Sequence, residues 1–488
     1  MSVENPPPQL LIDGKLTGAT GGARSPITSP STGEVIGHAP DADASDLDAA
    51  IGAARRAFDE TAWAEDPAFR VHCLRQLHRA LVDEREAMTA LTLAEVGAPA
   101  FLLTGPQYDM PVDGVRWVAD VAGSYAWERD AGTAQPMGVP TRRTIRREPT
   151  GVVAAITPWN FPTQLNLAKV GPALAAGNTV VLKPAPDTPW VAAELARLAA
   201  ERTDLPPGVL NVVSTSDNTV AARLTTDERV DLVSFTGSTA TGRKVMAAGA
   251  PTIKRVFLEL GGKSAAVVLD DADLAAAVGS AAFAVCVHAG QGCALTTRLL
   301  VPRERYDEAV DIAAATMSGI GVGDPADEGT VCGPVISPAQ RERIGGYVDL
   351  ARKEGGMIAC GGRVPPERDR GFWYEPTVIA GLDNTARVAR EEIFGPVLTV
   401  IAHDGDDDAV RIANDSPYGL SGSVDAGDEQ RAQAVARRIR TGSLTVNGGV
   451  WYSPDVPFGG YKQSGLGREM GVEGFEEYLE TKLIATGA

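Results

Sequence analysis

RVDLVSFTGSTATGR (residues 229–243) changes character halfway: a β-branched, apolar run up to Phe235 gives way to Gly, Ser and Thr, then to helix-tolerant residues. The run has the length of a strand. The turn after it carries Gly237 and Gly242, where backbone approaches a ligand closely, and Ser238, a helix-capping residue. Two readings stay open at this point: an ordinary strand–turn–helix connection, or a helix N-terminus that holds a nucleotide phosphate. The spacing is not GxGxxG, so the flanking sequence has to decide.

On the N-terminal side lie GVVAAIT (151–157), NTVVLKPA (178–185) and GVLNVVS (208–214); KRVFLEL (254–260) and SAAVVLD (264–270) follow. Stretches such as PWVAAELARLAAERTDL (189–205) separate the runs and read as helices. This alternation predicts a doubly wound parallel sheet with helices on both faces, and ligands bind outside the carboxyl ends of such strands. The position of FTGST after a late strand therefore favours the nucleotide reading.

The N-terminal third reads as helical, with DADASDLDAAIGAARRAFDE (41–60) opening on Asp and Ser caps. LAAAVGSAAFAVCVHAG (274–290) reads as a buried Ala-rich helix. After it a second alternating pattern runs through TRLLVP (297–302), PTVIAGL (376–382), GPVLTVIAH (395–403), GSLTVNG (442–448) and the Gly/Pro-rich PFGGYKQSGLGRE (457–469). This predicts a second α/β domain. Residues 127–149 read as an extended hairpin and 475–486 as a closing strand, elements suited to pairing with a partner subunit.

At 488 residues the chain exceeds one ordinary core. Its 44% hydrophobic and 22% charged residues are those of a globular protein. The 45 Lys and Arg against 63 Asp and Glu leave a net charge of −18, which argues against nucleic acid or an anionic membrane as partner. No apolar run approaches the length of about 18 needed to span a bilayer. MSVENPPPQLLIDGK lacks the basic and apolar regions of a signal peptide, so a cytoplasmic protein is expected.

Five cysteines lie scattered without CxxC or Cys/His zinc spacing, so neither a disulfide framework nor a metal site is expected. Cys73, Cys286, Cys332 and Cys360 read as small buried hydrophobes. Cys293, in HAGQGCALTTR (288–298), sits among glycines and small polar residues and remains either a packing residue or a nucleophile. Glu259 closes the apolar strand VFLEL; it is a solvated terminus or, if buried, a general base. Asn160, in the Pro-bounded turn TPWNFP, is an Asx-turn residue or a rigid oxyanion donor.

PWNFP, KPA, FTGST, ELGGK, GQGC, EEIFGP and PFGGYKQSGLGRE, in that order and across essentially the whole chain, resemble the non-acylating, NAD(P)-dependent aldehyde dehydrogenase superfamily. The resemblance implies an aldehyde dehydrogenase-like α/β fold. A Rossmann-type cofactor domain would comprise 1–126 and 150–261, a catalytic domain 262–469, and a small β oligomerisation element 127–149 and 470–488, in a homodimer or homotetramer. It implies that Cys293 is the nucleophile, that Asn160 and the Cys293 backbone N–H form the oxyanion hole, that Glu259 is the general base, and that Glu469 assists proton release. Thr157, Pro158, Trp159, Lys183, Ala185, Gly237, Ser238, Gly242 and Leu260 would line the cofactor groove, with Glu392 and Phe394 at its nicotinamide end.

The implied reaction is oxidation of an aldehyde through a thiohemiacetal and a thioester, with hydride passed to NAD(P)+ and water releasing the acid. Coenzyme A-acylating members commonly lack the ELGGK glutamate, present here as Glu259. A cofactor-independent cysteine hydrolase with His288 as base would leave the FTGST turn without purpose. A catalytically silent relative need not keep Cys293, Glu259 and Asn160 together. The chain departs from the family pattern at Pro186, where many NAD-preferring members have a ribose-binding Glu; NAD is expected, with NADP open through Lys183. It departs again at Ala168, where small-aldehyde enzymes often carry Trp. A tunnel of Phe161, Leu165, Ala168, Leu295, Trp451, Tyr452 and Phe458 is expected to take medium-sized apolar aldehydes.

Overall fold

In a computed structural model that describes residues 9–487, the apolar runs between 151 and 260 become largely buried strands: Val152–Ile156, Thr179–Lys183, Leu210–Val212, Leu232–Thr236 and Arg255–Glu259. Residues 1–8 and Ala488, which the domain reading and the signal-peptide reading include, lie outside the described residues. These strands run parallel, as apolar runs covered by helices on both sides should. Their spatial order is Arg255–Glu259, Leu232–Thr236, Val152–Ile156, Thr179–Lys183, Leu210–Val212. The chain builds outward from Val152–Ile156 on one side, then returns to add two strands on the other. That reversal opens a crevice at the carboxyl ends beside Val152–Ile156.

Residues 10–40 are not helical. Leu10–Ile12 and Lys15–Thr17 form a hairpin that extends the first sheet beyond Leu210–Val212, and Arg24–Thr28 pairs with Val35–Pro40. The hairpin turn is Asp13–Gly14, both at positive φ, a two-residue connection whose twist suits antiparallel strands. Helix begins at Ala44–Glu60. There Asp43 accepts the Ser45 N–H at 2.7 Å, while Asp46 accepts the Asp43 N–H at 3.1 Å.

The second sheet runs Met357–Cys360, Thr377–Ala380, Val397–His403, Arg298–Pro302, Ala265–Val268, Gly422–Asp425, Thr445–Val446, parallel except for Met357–Cys360. A third sheet pairs Glu128–Ala134 with Thr141–Pro149 and Thr141–Pro149 with Leu479–Gly487, all antiparallel. Among the described residues no helix is long and apolar enough to cross a membrane.

PFGGYKQSGLGRE, read with the second α/β pattern, returns instead to the first sheet. Gly465 and Leu466 pair antiparallel with Glu259 and Leu258. Glycine is required at 465, because a Cβ there would collide with the Leu258 carbonyl. Just beyond, Glu469 Oε1 accepts a hydrogen bond from Lys169 Nζ at 2.6 Å, both groups buried. Lys169 lies on the helix Pro162–Ala176; its Nζ also donates to Ser234 Oγ at 3.2 Å, and Ser234 meets the Tyr478 hydroxyl at 3.1 Å. One buried ammonium thus ties a helix, a central strand and the C-terminal segment together.

Removing one member of such a pair strands the other charge in a dry interior. Lys169→Met is expected to lower stability by about 3–5 kcal/mol, seen as a drop in the urea midpoint. Pairing it with Glu469→Leu should restore most of the loss. A single variant with an unchanged midpoint would deny the pair its structural weight.

Candidate active site

The crevice is built from three strand ends of the first sheet and one segment from the second. Thr157–Phe161 follows Val152–Ile156, Gly237 and Ser238 follow Leu232–Thr236, and Glu259 ends its own strand. Cys293 arrives between the helix Leu274–Cys286 and the strand Arg298–Pro302. A cavity of about 280 Å³ takes its walls from Pro158, Trp159, Asn160, Leu165, Gly237, Ser238, Glu259, Leu260, Cys293, Glu392 and Phe394. All of these were expected at the site, though Leu165 was assigned to the tunnel. Thr236, Gly261, Gln340 and Arg343 also line it and were not foreseen.

Two glycines let the halves meet. A Cβ on Gly262 would lie 2.7 Å from the Cys293 carbonyl oxygen, and one on Gly261 would strike the Glu392 carboxylate. Glu392 instead accepts the Gly262 N–H at 3.0 Å, and burial pushes its carboxyl up to about 7. Gln340 and Arg343 hold the following turn: Gln340 Nε2 donates to the Ile393 and Phe394 carbonyls at 3.1 and 2.6 Å, and Arg343 donates to the Glu392 carbonyl at 2.6 Å.

Glu259 is buried, and neither carboxyl oxygen has a hydrogen-bond partner among the described residues. Burial first, and the nearby Glu469 second, hold its carboxyl well above the usual range, while Lys169 pulls the other way. The Cys293 thiol is pushed up by burial and then by Glu259, Glu392 and Glu469. Both shifts favour the protonated forms of the thiol and the carboxyl, and upward is the direction in which a carboxyl becomes a stronger base.

Asn160 is buried, and its Nδ2 donates to the Gln291 carbonyl at 2.8 Å, which leaves a second N–H on the same nitrogen. His288 is spoken for elsewhere: its Nε2 lies 2.9 Å from the Asn160 carbonyl oxygen, and burial drops the ring to about 4. It has no spare proton chemistry near neutral pH.

Other expected residues lie outside the cavity lining. The Thr157 hydroxyl donates to Asn166 Oδ1 at 2.7 Å and braces the loop. Gly242 packs under Leu260, since a Cβ would meet that side chain at 2.6 Å. Lys183 and Ala185 are buried at the next strand end; burial lowers the Lys183 ammonium to about 8, with Asp187 and Asp41 opposing. The tunnel residues divide. Ala168 and Tyr452 line an apolar pocket of about 50 Å³ with Met110, Trp117 and Phe475. Leu295, Trp451 and Tyr452 line a groove of about 360 Å³ with Ala277, Ala281 and Ala284. Phe458 stacks on Trp451 with centroids 4.8 Å apart, and Phe161 sets its ring edge-on to His288 at 5.3 Å.

A thiol and a carboxyl without a hydrogen-bond partner among the described residues share one cavity, beside a helix N-terminus at the reversal of a doubly wound sheet, where such folds bind ligands. The sequence model of the aldehyde dehydrogenase family matches residues 17–484. Geranial dehydrogenase of Castellaniella defragrans is 41% identical over 478 residues, which cover 97% of this chain and 98% of that one. A structure of aldehyde dehydrogenase C from Pseudomonas syringae, a cysteine-to-alanine mutant complexed with NAD+ and octanal, is 40% identical with a TM-score of 0.92, covering 98% of this chain and 96% of that one. A betaine aldehyde dehydrogenase point mutant from Staphylococcus aureus, in complex with NAD+ and carrying a BME-modified cysteine, is 35% identical with a TM-score of 0.93, covering 98% and 97%. The chain belongs to the aldehyde dehydrogenase family. It is an NAD(P)-dependent oxidoreductase that oxidises an aldehyde to a carboxylic acid.

A base must be deprotonated to act, so a carboxyl held above its ordinary range gains activity as pH rises through that raised value and loses it below. Acid release is expected to follow this rising limb. Glu259→Gln should cut kcat by about 10²- to 10⁴-fold, flatten the limb and slow the single-turnover appearance of NADH as well. A pH profile identical to that of the parent would remove Glu259 from the role.

Proposed function

We propose that Cys293 is the nucleophile, Glu259 the base for both half-reactions, and Asn160 with the Cys293 backbone N–H the oxyanion donors. The observation that carries this is the convergence of Cys293, Glu259 and Asn160 on one cavity. The groove residues fit a dinucleotide. The helix Thr239–Gly249 points its N-terminus at the cavity wall, Ser238 Oγ caps it by accepting the Thr241 N–H at 3.2 Å, and Gly237 presents bare backbone. Ser238 and Gly237 would hold phosphate, and Glu392 and Phe394 the nicotinamide end. Bound there, NAD(P)+ supplies the hydride acceptor.

The chain's own groups do the rest. As the sulfur–carbon bond forms, the Cys293 proton passes to Glu259, and the carbonyl oxygen becomes an alkoxide held by the Asn160 amide and the Cys293 N–H. Each such donor contributes roughly 3 kcal/mol. Departure of the carbonyl hydrogen with its electron pair leaves a thioester on Sγ. Glu259, relieved of its first proton with help from Glu469 and Lys169, takes another from water as the oxygen–carbon bond forms. Collapse breaks the carbon–sulfur bond and frees the acid. The presence of Glu259 supports water over coenzyme A as acyl acceptor.

Pro186 neither accepts ribose hydroxyls nor repels a 2′-phosphate; NAD is the proposed cofactor, with Lys183 keeping NADP within reach. The apolar pocket beside Ala168, and the relatives named for geranial and crystallised with octanal, support a medium-sized apolar aldehyde. The cofactor and catalytic domains would be centred on the first and second sheets. The third sheet is the proposed contact in a dimer or tetramer: Leu479–Gly487 is an edge strand and exposes Leu483 and Ile484. Five free cysteines support a reducing cytoplasm.

Intact mass during turnover should show an acyl adduct that Cys293→Ala abolishes along with activity; oxidation surviving that substitution would sink the proposal. In kcat/KM, hexanal and benzaldehyde should exceed acetaldehyde by about 10-fold or more, with NAD above NADP. Ala168→Trp should fill the pocket and selectively penalise the larger substrates.

A further inference from the structure

The segment that delivers Cys293 carries three consecutive residues at positive φ: His288 at 52°, Ala289 at 51° and Gly290 at 71°. Only the last is glycine, and there a Cβ would collide with the Gly395 carbonyl. A non-glycine residue in this region is strained, and two in succession persist only where surrounding contacts impose them. The contacts at hand converge on one peptide group of the neighbouring loop. The Asn160 carbonyl oxygen receives Gln107 Nε2 at 2.8 Å and lies 2.9 Å from His288 Nε2. Because that partner is an acceptor, Nε2 carries the ring proton. In return, Asn160 Nδ2 donates to the Gln291 carbonyl at 2.8 Å. Gln291 is itself fixed, its Nε2 donating to the His288 and Pro334 carbonyls at 3.1 and 3.2 Å and its Oε1 accepting the Ile336 N–H at 2.9 Å.

We infer that His288 and Gln107 are positioning residues that aim the Asn160 amide at the substrate oxygen. The inference rests on the reading of Asn160 as oxyanion donor. Two donors pull on the Asn160 main chain while Gln291 takes one of the two Nδ2 hydrogens, so rotation of the amide is blocked at both ends. The second hydrogen then has one direction left, into the cavity that Asn160 shares with Cys293. The same bonds join the strained nucleophile segment to the oxyanion loop, so sulfur and amide hold a fixed separation. Phe161 only packs on the His288 ring, whereas Gln107, Asn160, His288 and Gln291 act by hydrogen bonds and all four are buried. Water therefore does not substitute for a lost donor without cost.

The test uses the full-length enzyme with saturating NAD+ and hexanal. His288→Met removes the donor at similar volume, and His288→Gln places an amide N–H near the position of Nε2. The methionine variant should lose about 10- to 100-fold in kcat, with the KM for NAD+ and the rate of Cys293 alkylation by iodoacetamide unchanged. The glutamine variant should recover most of the loss. Gln107→Met, which withdraws the other donor to the same oxygen, should show the same signature and serves if the His288 variants do not fold. In an Asn160→Ala background, either methionine substitution should cost nothing further. Should alkylation fall in parallel with kcat, or the losses add fully in that background, the two residues merely support the loop and the inference is overturned. An Asn160→Ala enzyme with full kcat would instead overturn the oxyanion reading, whereas a crippled Asn160→Ala enzyme beside unaffected His288 and Gln107 variants would overturn the positioning alone.

Discussion

Backbone meets backbone where the two large sheets join, and everything chemical depends on that approach. The carboxyl end of Arg255–Glu259 runs through Leu260–Ser264 directly into Ala265–Val268 of the second sheet. Across this joint, Gly262 lies against the Cys293 carbonyl and Gly261 against Glu392. A side chain at either position would hold the sheets apart and separate a carboxyl carried by one from a sulfur carried by the other. Dispersion and hydrogen bonding over a few ångströms thus set a distance that neither sheet fixes by itself.

Electrostatics then sets the resting state of what has been brought together. Three carboxyl groups surround the thiol, and the buried Lys169 pairs with only one of them. Desolvation is the larger effect and the carboxyl groups add to it, so the sulfur rests as a thiol. A thiol reacts slowly with oxidants and stray electrophiles, since the thiolate is the reactive form. The chemistry proposed above accordingly needs a base that is itself reluctant to ionise, and Glu259, without a hydrogen-bond partner among the described residues, meets that need.

The strands from 151 to 260 were legible because long apolar, β-branched runs alternate with helical spacers, a pattern governed by local burial. Leu10–Ile12 and Lys15–Thr17 were not, since three residues carry no periodicity; the Asp13–Gly14 turn was their one signal. The pairing of Gly465 with Glu259 joins residues far apart in the chain, and nothing local in PFGGYKQSGLGRE reports it. At the site, Cys293, Asn160 and Glu259 stood out as chemical oddities in their own neighbourhoods, and the family resemblance joined them. Gln340, Arg343 and Gln107 gave no such sign: each is an ordinary polar residue on or beside a helix, and each acts on main-chain carbonyls that only the fold brings near.

Glu469 and Lys169 are 300 residues apart in the chain, and the antiparallel strand at Gly465–Leu466 closes the edge of a sheet whose parallel strands end by Glu259. The second sheet, built from residues between Ala265 and Val446, is therefore nested inside the first, like a clause within a sentence. During synthesis the first sheet has to wait, with an open edge and an unpaired buried lysine, until the inserted unit has emerged and its chain has come back. The inner unit has no such wait. Until the chain comes back, that strand edge has no partner of its own, and an open edge is a template for pairing with another chain.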